Sequence, residues 1–306
     1  MHRTLPLLAL LLLISCQSTQ NGQALIASST APIVFSLESE RYTAADFAQR
    51  LERDLGEAIV SLIAQGQTTA QIEQLANDAN IRNQIFEQMI QDALLARYAR
   101  QHGIGVDPAL IDAQIFASSA IDPESRLLIS SAARLQATQN QLSFEVIARQ
   151  TRAPMARTRH ILVADQATAD QLLAELAAGA AFATLARQRS LDTPSIAAGG
   201  ELGWQPLGDY LPEYDQVAAT APLNSPVAVI TEIGVHVLEV LERDENRPFS
   251  SFAQLRESVN AQQYFEQSFT PWYEELRLEA ERSGVLQLAQ NFDPNSVPLP
   301  FPEDAP

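Results

Sequence analysis

The chain is poor in the residues from which metal, redox and nucleic-acid chemistry are built. Its 306 residues include one cysteine and four histidines. One cysteine excludes a disulfide within the chain. The absence of any Cys-x-x-Cys or His-x-x-x-His spacing leaves no motif for the three or four convergent ligands a metal needs. Positive charge is also short: 20 Lys and Arg stand against 37 Asp and Glu, a net charge of -17, which argues against a broad basic surface for nucleic acid. Neither Ser190 nor Ser195 sits in a Gly-x-Ser-x-Gly elbow, so a serine-hydrolase triad has no signature here. No internal repeat is visible.

Hydrophobic residues make up 46% of the chain, enough for more than one core, and the length suggests about two domains. The N-terminus "MHRTLPLLALLLLISCQS" has a basic head at Arg3 and an apolar run from Leu5 to Ile14. That run falls short of the roughly 20 residues of a spanning helix and suits the core of a signal peptide. Leu13-Ile14-Ser15-Cys16 resembles the bacterial lipobox. That resemblance implies cleavage after residue 15, lipidation of Cys16 and an extracytoplasmic protein anchored to a bacterial membrane by acyl chains. An ordinary secretory signal with an incidental thiol is the alternative. Residues 16–35, polar, small and ending near Pro32, read as a flexible tether.

Residues 36–153 read as a helical region. Thr43 is a candidate N-cap, Ile81, Ile85 and Met89 with Phe86, Ile90 and Leu94 form stripes at spacings of four, and His102-Gly103 is a helix end. Asp107 and Pro108 open another helix, and more helix is expected between Pro123 and Gln150. From about 154 to 245 the texture is mixed: a short strand at "TRHILVA", two helices broken near Gly179, a loop through Ser190 to Gln205, a short helix, and two strands around Gly234. Residues 246–290 read as helical with a break or kink at Pro271, and the Pro-rich residues 291–306 as a disordered tail.

Only two histidines, His160 and His236, fall in the mixed block, both on expected strands. On spacing alone each could be a satisfied core histidine. Four ordered stretches carry more information: "RHILV" from Arg159, "AAFATLARQRSLD", "GGELGW" and "GVHVLEVLER". In order and spacing they resemble the signature blocks of the parvulin-type peptidyl-prolyl cis/trans isomerases, and the flanks resemble the extracytoplasmic foldases of PrsA and SurA type. The resemblance implies an α+β fold, a four-stranded antiparallel sheet with helices, inserted in a mainly helical chaperone-like domain whose N- and C-terminal segments pack together.

It also implies roles. His160 and His236 match the family's paired histidines, Asp192 its acid or cysteine beside the substrate carbonyl, and Thr231 a hydroxyl near the histidines. Leu202, Tyr210 and Tyr214 match the walls of the proline pocket, where methionine and phenylalanine are common at the two tyrosine positions. Gly199 and Gly200 are expected to make a tight turn, with Thr193 to Ala198 a small-residue loop over the site. Unfolded secreted polypeptides with X-Pro bonds are the implied partners, with no cofactor, metal or nucleic acid, and no basic cluster reads a phosphorylated substrate. A holdase with an idle isomerase domain is the alternative function.

Overall fold

The computed structural model describes residues 31–109, 111 and 131–305. The expected signal segment, Cys16, most of the tether and most of the helix expected after Pro108 lie outside the described residues. The chain divides into two compact units, one drawn from residues 1–147 and 271–306, the other spanning 148–270.

The first unit contains sheet as well as helix, which the helical reading of residues 36–153 did not foresee. Strands β1 (Ile33–Leu37) and β2 (Glu40–Thr43) form a hairpin, and the distant strand Leu286–Leu288 pairs antiparallel with the other edge of β1. Strand β1 begins inside the stretch expected to be tether. Thr43 then starts helix α1 (Ala44–Ala64): its hydroxyl accepts the Asp46 N–H while the Asp46 carboxylate accepts the Thr43 N–H, a reciprocal capping box. Helices α2 (Thr69–Asp78), α3 (Ile81–Gln101) and α4 (Ser131–Gln150) follow. The stripe on α3 is buried as its period requires, with Ile85, Met89, Phe86, Ile90 and Leu94 packed on Phe35, Phe47 and Leu51. Gly103, at φ 63°, ends that helix.

The expected disordered tail is instead ordered against this unit. Val297 and Leu299 are buried, Phe292 packs edge-on against Phe47, and Arg82 donates from Nε to the Val297 carbonyl. Apolar side chains spaced between prolines pack without needing regular backbone. No helix among the described residues is long and apolar enough to cross a membrane.

The second unit is built on strand β3 (Arg152–Val163), followed by α5 (Gln166–Ala177), α6 (Phe182–Arg189), the single turn α7 (Thr193–Ile196), β4 (Glu201–Pro206), α8 (Pro212–Thr220), β5 (Val227–Thr231) and β6 (Gly234–Pro248). The strands form one antiparallel sheet in the order β4-β3-β6-β5. Alternation along β3 assigns its two faces. Ile161 and Val163, with Val235 and Val237 of β6, pack on Leu172 of α5 and on Phe182 and Leu185 of α6. Ala156 with Leu238 and Val240 faces Tyr214 and Ala218 of α8. His160 belongs to this second face.

Residues 249–269 also differ from expectation. Instead of joining the N-terminal region, helices α9 (Phe252–Glu257) and α10 (Ala261–Tyr264) belong to the second unit. Tyr264 Oη donates to the Leu207 carbonyl at 2.8 Å and Gln254 Nε2 to the Trp204 carbonyl at 2.7 Å. The break expected at Pro271 is a π-helical turn, Phe265–Phe269, after which helix resumes at Thr270. Proline has no N–H to give, and a wider turn just before it absorbs the missing bond.

Candidate active site

The two histidines lie 76 residues apart in sequence and meet because β3 and β6 are adjacent. His160 sits opposite Leu238 and His236 opposite Leu162, which makes the imidazoles diagonal neighbours on one face. Both are buried, and their Nδ1 atoms are 3.0 Å apart. On the outer side, His160 Nε2 is 2.7 Å from Asp192 Oδ2. On the inner side, His236 Nε2 is 2.9 Å from Thr231 Oγ1. The four residues thus form one line of hydrogen bonds from a partly exposed carboxylate to a strand-end hydroxyl.

One proton arrangement gives each of the three contacts along this line a single donor. The Thr231 hydroxyl donates to His236 Nε2, His236 Nδ1–H to His160 Nδ1, and His160 Nε2–H to the Asp192 carboxylate. The Gly234 carbonyl, 3.1 Å from the Thr231 hydroxyl, is that hydroxyl's alternative acceptor. Burial, aided by the neighbouring imidazole of His160, lowers His236 to about 4, so its imidazole is neutral at ordinary pH. Burial works against ionisation of Asp192, but hydrogen bonds from Ser195 and His160 outweigh it and hold the carboxyl below its usual range.

The backbone around Asp192 is fixed by Ser190, which the sequence offered only as a hydrolase serine without its signature. Ser190 Oγ accepts the N–H of both Leu162 and Asp192, each at 3.2 Å, tying the end of α6 to β3. The expected loop over residues 193–198 begins as the turn α7, with Pro194 in its first positions. Gly199 and Gly200 both have positive φ, as the tight turn requires, and a Cβ on Gly200 would lie 2.3 Å from the His160 carbonyl oxygen. The Gly200 carbonyl in turn accepts the His160 N–H at 2.9 Å. The glycine pair therefore lets this loop rest directly on the backbone of His160.

Leu202, Tyr210 and Tyr214 come together at the α8 face of the sheet. Leu202 is the extra residue of a β-bulge, where Thr158 pairs Gly203 and Arg159 pairs Glu201; Gly203, at φ 71°, permits it. Tyr210 and Tyr214 have ring centroids 4.5 Å apart, and Tyr214 meets both imidazoles edge-on at 6.1 and 5.4 Å. The partner a buried tyrosine hydroxyl needs is Thr158, whose Oγ1 is 3.0 Å from Tyr214 Oη. Thr158 was not among the expected site residues, although its place two before His160 puts it on the same strand face. Burial pushes both phenols well above their usual range. Every expected site residue of this unit is thus gathered in one place, while Cys16 lies outside the described residues. Among the described residues no three His, Cys, Asp or Glu side chains converge to hold a metal ion.

Comparison with known families agrees with this geometry. Residues 133–244 match the family described as PPIC-type PPIASE domain, and residues 5–127 that described as SurA-like N-terminal domain. The chain joins a PPIC-type parvulin domain to a SurA-like N-terminal domain. The chain is similar to the foldase protein PrsA of Geobacillus sp. (strain WCH70), 36% identical over 100 residues that make up 32% of this chain and 36% of that one. A longer match, 26% identical over 245 residues, covers 76% of this chain and 70% of the foldase protein PrsA of Halalkalibacterium halodurans. The chaperone SurA of Legionella pneumophila (strain Lens) is 30% identical over 134 residues, 40% of this chain and 31% of that protein. The matches to the Geobacillus and Legionella proteins therefore span about a third of those relatives' length.

Proposed function

We propose that this chain is a peptidyl-prolyl cis/trans isomerase that assists the folding of secreted or envelope polypeptides, held outside the cytoplasm by a lipid on Cys16. The observation that carries the isomerase reading is the hydrogen-bonded line Asp192–His160–His236–Thr231 beside the apolar cluster that contains Leu202, Tyr210 and Tyr214. An X-Pro bond rotates over a barrier of about 18–20 kcal/mol and takes tens to hundreds of seconds unaided. No covalent bond is broken, so catalysis requires only that the site favour the twisted amide over both planar forms.

Each residue has a part in that preference. Leu202, Tyr210 and Tyr214 hold the proline ring. Their apolar surface also favours the twisted amide, which has lost the charge separation of resonance and is less in need of water. Asp192, kept ionised by Ser195 and His160, stands where the substrate carbonyl lies; a fixed negative charge there disfavours the planar form, whose oxygen carries partial negative charge. His160 and His236 hold that carboxylate in position without carrying positive charge on the inner imidazole. Thr231 sets which nitrogen of His236 bears the proton.

The test is a protease-coupled isomerisation assay on an X-Pro peptide with the mature protein, in which a rate equal to the uncatalysed background overturns the enzyme reading. A holdase role is favoured by a separate observation, the SurA-like N-terminal domain. It is read independently by asking whether the full chain carrying His160→Ala and Asp192→Ala still suppresses aggregation of an unfolded client. The anchor is tested by Cys16→Ser, which should leave the protein unprocessed and free of lipid.

A further inference from the structure

A concavity adjoins the apolar cluster of Leu202, Tyr210 and Tyr214. It has a volume of about 590 Å³ and lies between the outer edge of β4, the turn at Asp209 and Tyr210, and helix α9. Leu202 and Tyr210 line it and also pack against that cluster, so these two side chains are common to the concavity and the proposed proline site and form a shared wall. The groove is built into the fold: Gln254 Nε2 ties α9 to the Trp204 carbonyl, Ser258 Oγ donates to Asp209 Oδ1 at 2.9 Å, and Tyr264 Oη holds the Leu207 carbonyl. A site formed before binding does not spend binding energy on ordering its walls.

The groove's chemistry selects its occupant. Recognition by strand addition is disfavoured, because the carbonyls of Leu202 and Trp204 already accept the side-chain amides of Gln205 and Gln254 at 3.3 and 2.7 Å. Side chains must then do the recognising. Among the described residues, two that line the groove carry charge, Asp209 and Glu257, both negative, and no Lys or Arg lines it. Trp204 adds an aromatic surface that already takes a guanidinium, with Arg247 stacked on its ring at 3.9 Å.

Resting on the isomerase reading, we propose that this groove is a specificity subsite for the client polypeptide beside its proline, and that it takes a Lys or Arg side chain through Glu257 and Asp209. Extended chain advances about 3.3–3.6 Å per residue, so a position within a few residues of the proline reaches across the shared wall.

The test is a set of X-Pro peptides with neutral flanks, or with one Lys or one Glu moved stepwise on either side of the proline, assayed for kcat/KM with the full mature chain. The subsite predicts a rate about threefold to fivefold higher for Lys than for Glu at its best position, the size that partly exposed charges supply. The advantage should shrink as salt rises. Glu257→Gln should reduce the advantage and Glu257→Lys reverse it, each read as the ratio of Lys-peptide to Glu-peptide rates within one variant. Asp170→Asn, on α5 across the sheet, controls for the protein's overall negative charge and should leave the preference intact. Equal rates for Lys and Glu peptides at every position, or an equal loss of preference in Asp170→Asn, would overturn the proposal. If even the neutral peptide is not isomerised, the parent reading has failed. Binding is then read from Trp204 fluorescence in a Trp272→Phe background, where tighter binding of Lys than of Glu peptides upholds the subsite and equal binding overturns it.

Discussion

Replacing Gly200 by alanine should injure this protein more than replacing Gly179, although both glycines have positive φ, 87° and 96°. At Gly179 an added Cβ meets nothing within 4 Å. Its cost is the left-handed backbone alone, about 1–2 kcal/mol. At Gly200 the same methyl falls 2.3 Å from the His160 carbonyl oxygen and 3.2 Å from Ala186 Cβ of α6. A backbone atom in a central strand does not yield as a flexible side chain does, so the loop must lift. Lifting it also weakens the bond from His160 N–H to the Gly200 carbonyl, worth about 0.5–1.5 kcal/mol. Strain and lost bond together come to about 1.5–3.5 kcal/mol for Gly200→Ala. The chain has two tryptophans, Trp204 in the second unit and Trp272 in the first. Urea unfolding followed by fluorescence in a Trp272→Phe background therefore reports the second unit by itself. The expected result is a modest midpoint shift for Gly179→Ala with full isomerase activity, and a larger shift with reduced activity for Gly200→Ala. Equal shifts, or a fully active Gly200→Ala protein, would refute the claim that the glycine pair seats the loop on His160.

Further outcomes follow from the same contacts. Because His236 is lowered to about 4 in the folded protein, the unfolded chain binds the extra proton first as pH falls below the usual histidine value of about 6.5. Stability of the second unit should therefore decline between about pH 6.5 and 4, and NMR should find the His236 ring still neutral at pH 6. The lowered pKa of Asp192 acts in a lower window: its contribution is present above the usual aspartate value and is lost as pH falls below it. Tyr214→Phe removes one hydrogen bond from the buried Thr158 hydroxyl, which keeps Tyr210 as a partner, and should cost about 0.5–1.5 kcal/mol, part of it recovered when Thr158→Val is added, by denaturant midpoints in a double-mutant cycle. Arg82 is buried and binds Glu73, Asn77 and the Val297 carbonyl, so Arg82→Ala should expose the C-terminal residues to limited proteolysis that leaves the parent chain uncut there.

The parts of the structure that were legible in the sequence are those in which local pattern and partner coincide. The apolar period of α3, the Thr43 cap, the strand around His160 and the glycine turn each follow from a few neighbouring residues. The meeting of His160 with His236 does not. Alternation shows that each is on a strand, and only the resemblance of four ordered blocks placed the strands side by side. Where a segment's partner is remote and no such blocks exist, the sequence was silent. "IVFSL" is a five-residue run whose second partner, Leu286–Leu288, lies some 250 residues away. The periodicity of residues 252–269 indicates helix but not which core receives it. The tail's Phe292, Val297 and Leu299 are masked by prolines that resemble a low-complexity linker. Thr158 was missed because a threonine in a strand is ordinary until a buried phenol is found opposite it.

The central claim is that Asp192, held by His160, lowers the barrier to rotation about an X-Pro bond. It is tested most directly by exchange NMR on an X-Pro peptide, which measures cis/trans interconversion without a coupling protease, comparing the mature protein with Asp192→Asn and His160→Ala at matched folded fractions. The account predicts peptide exchange well above the uncatalysed rate with the parent protein, and a fall of about tenfold or more, at least about 1.4 kcal/mol of barrier, in both variants. Parent-level exchange in both variants, or no acceleration by the parent protein, would contradict it.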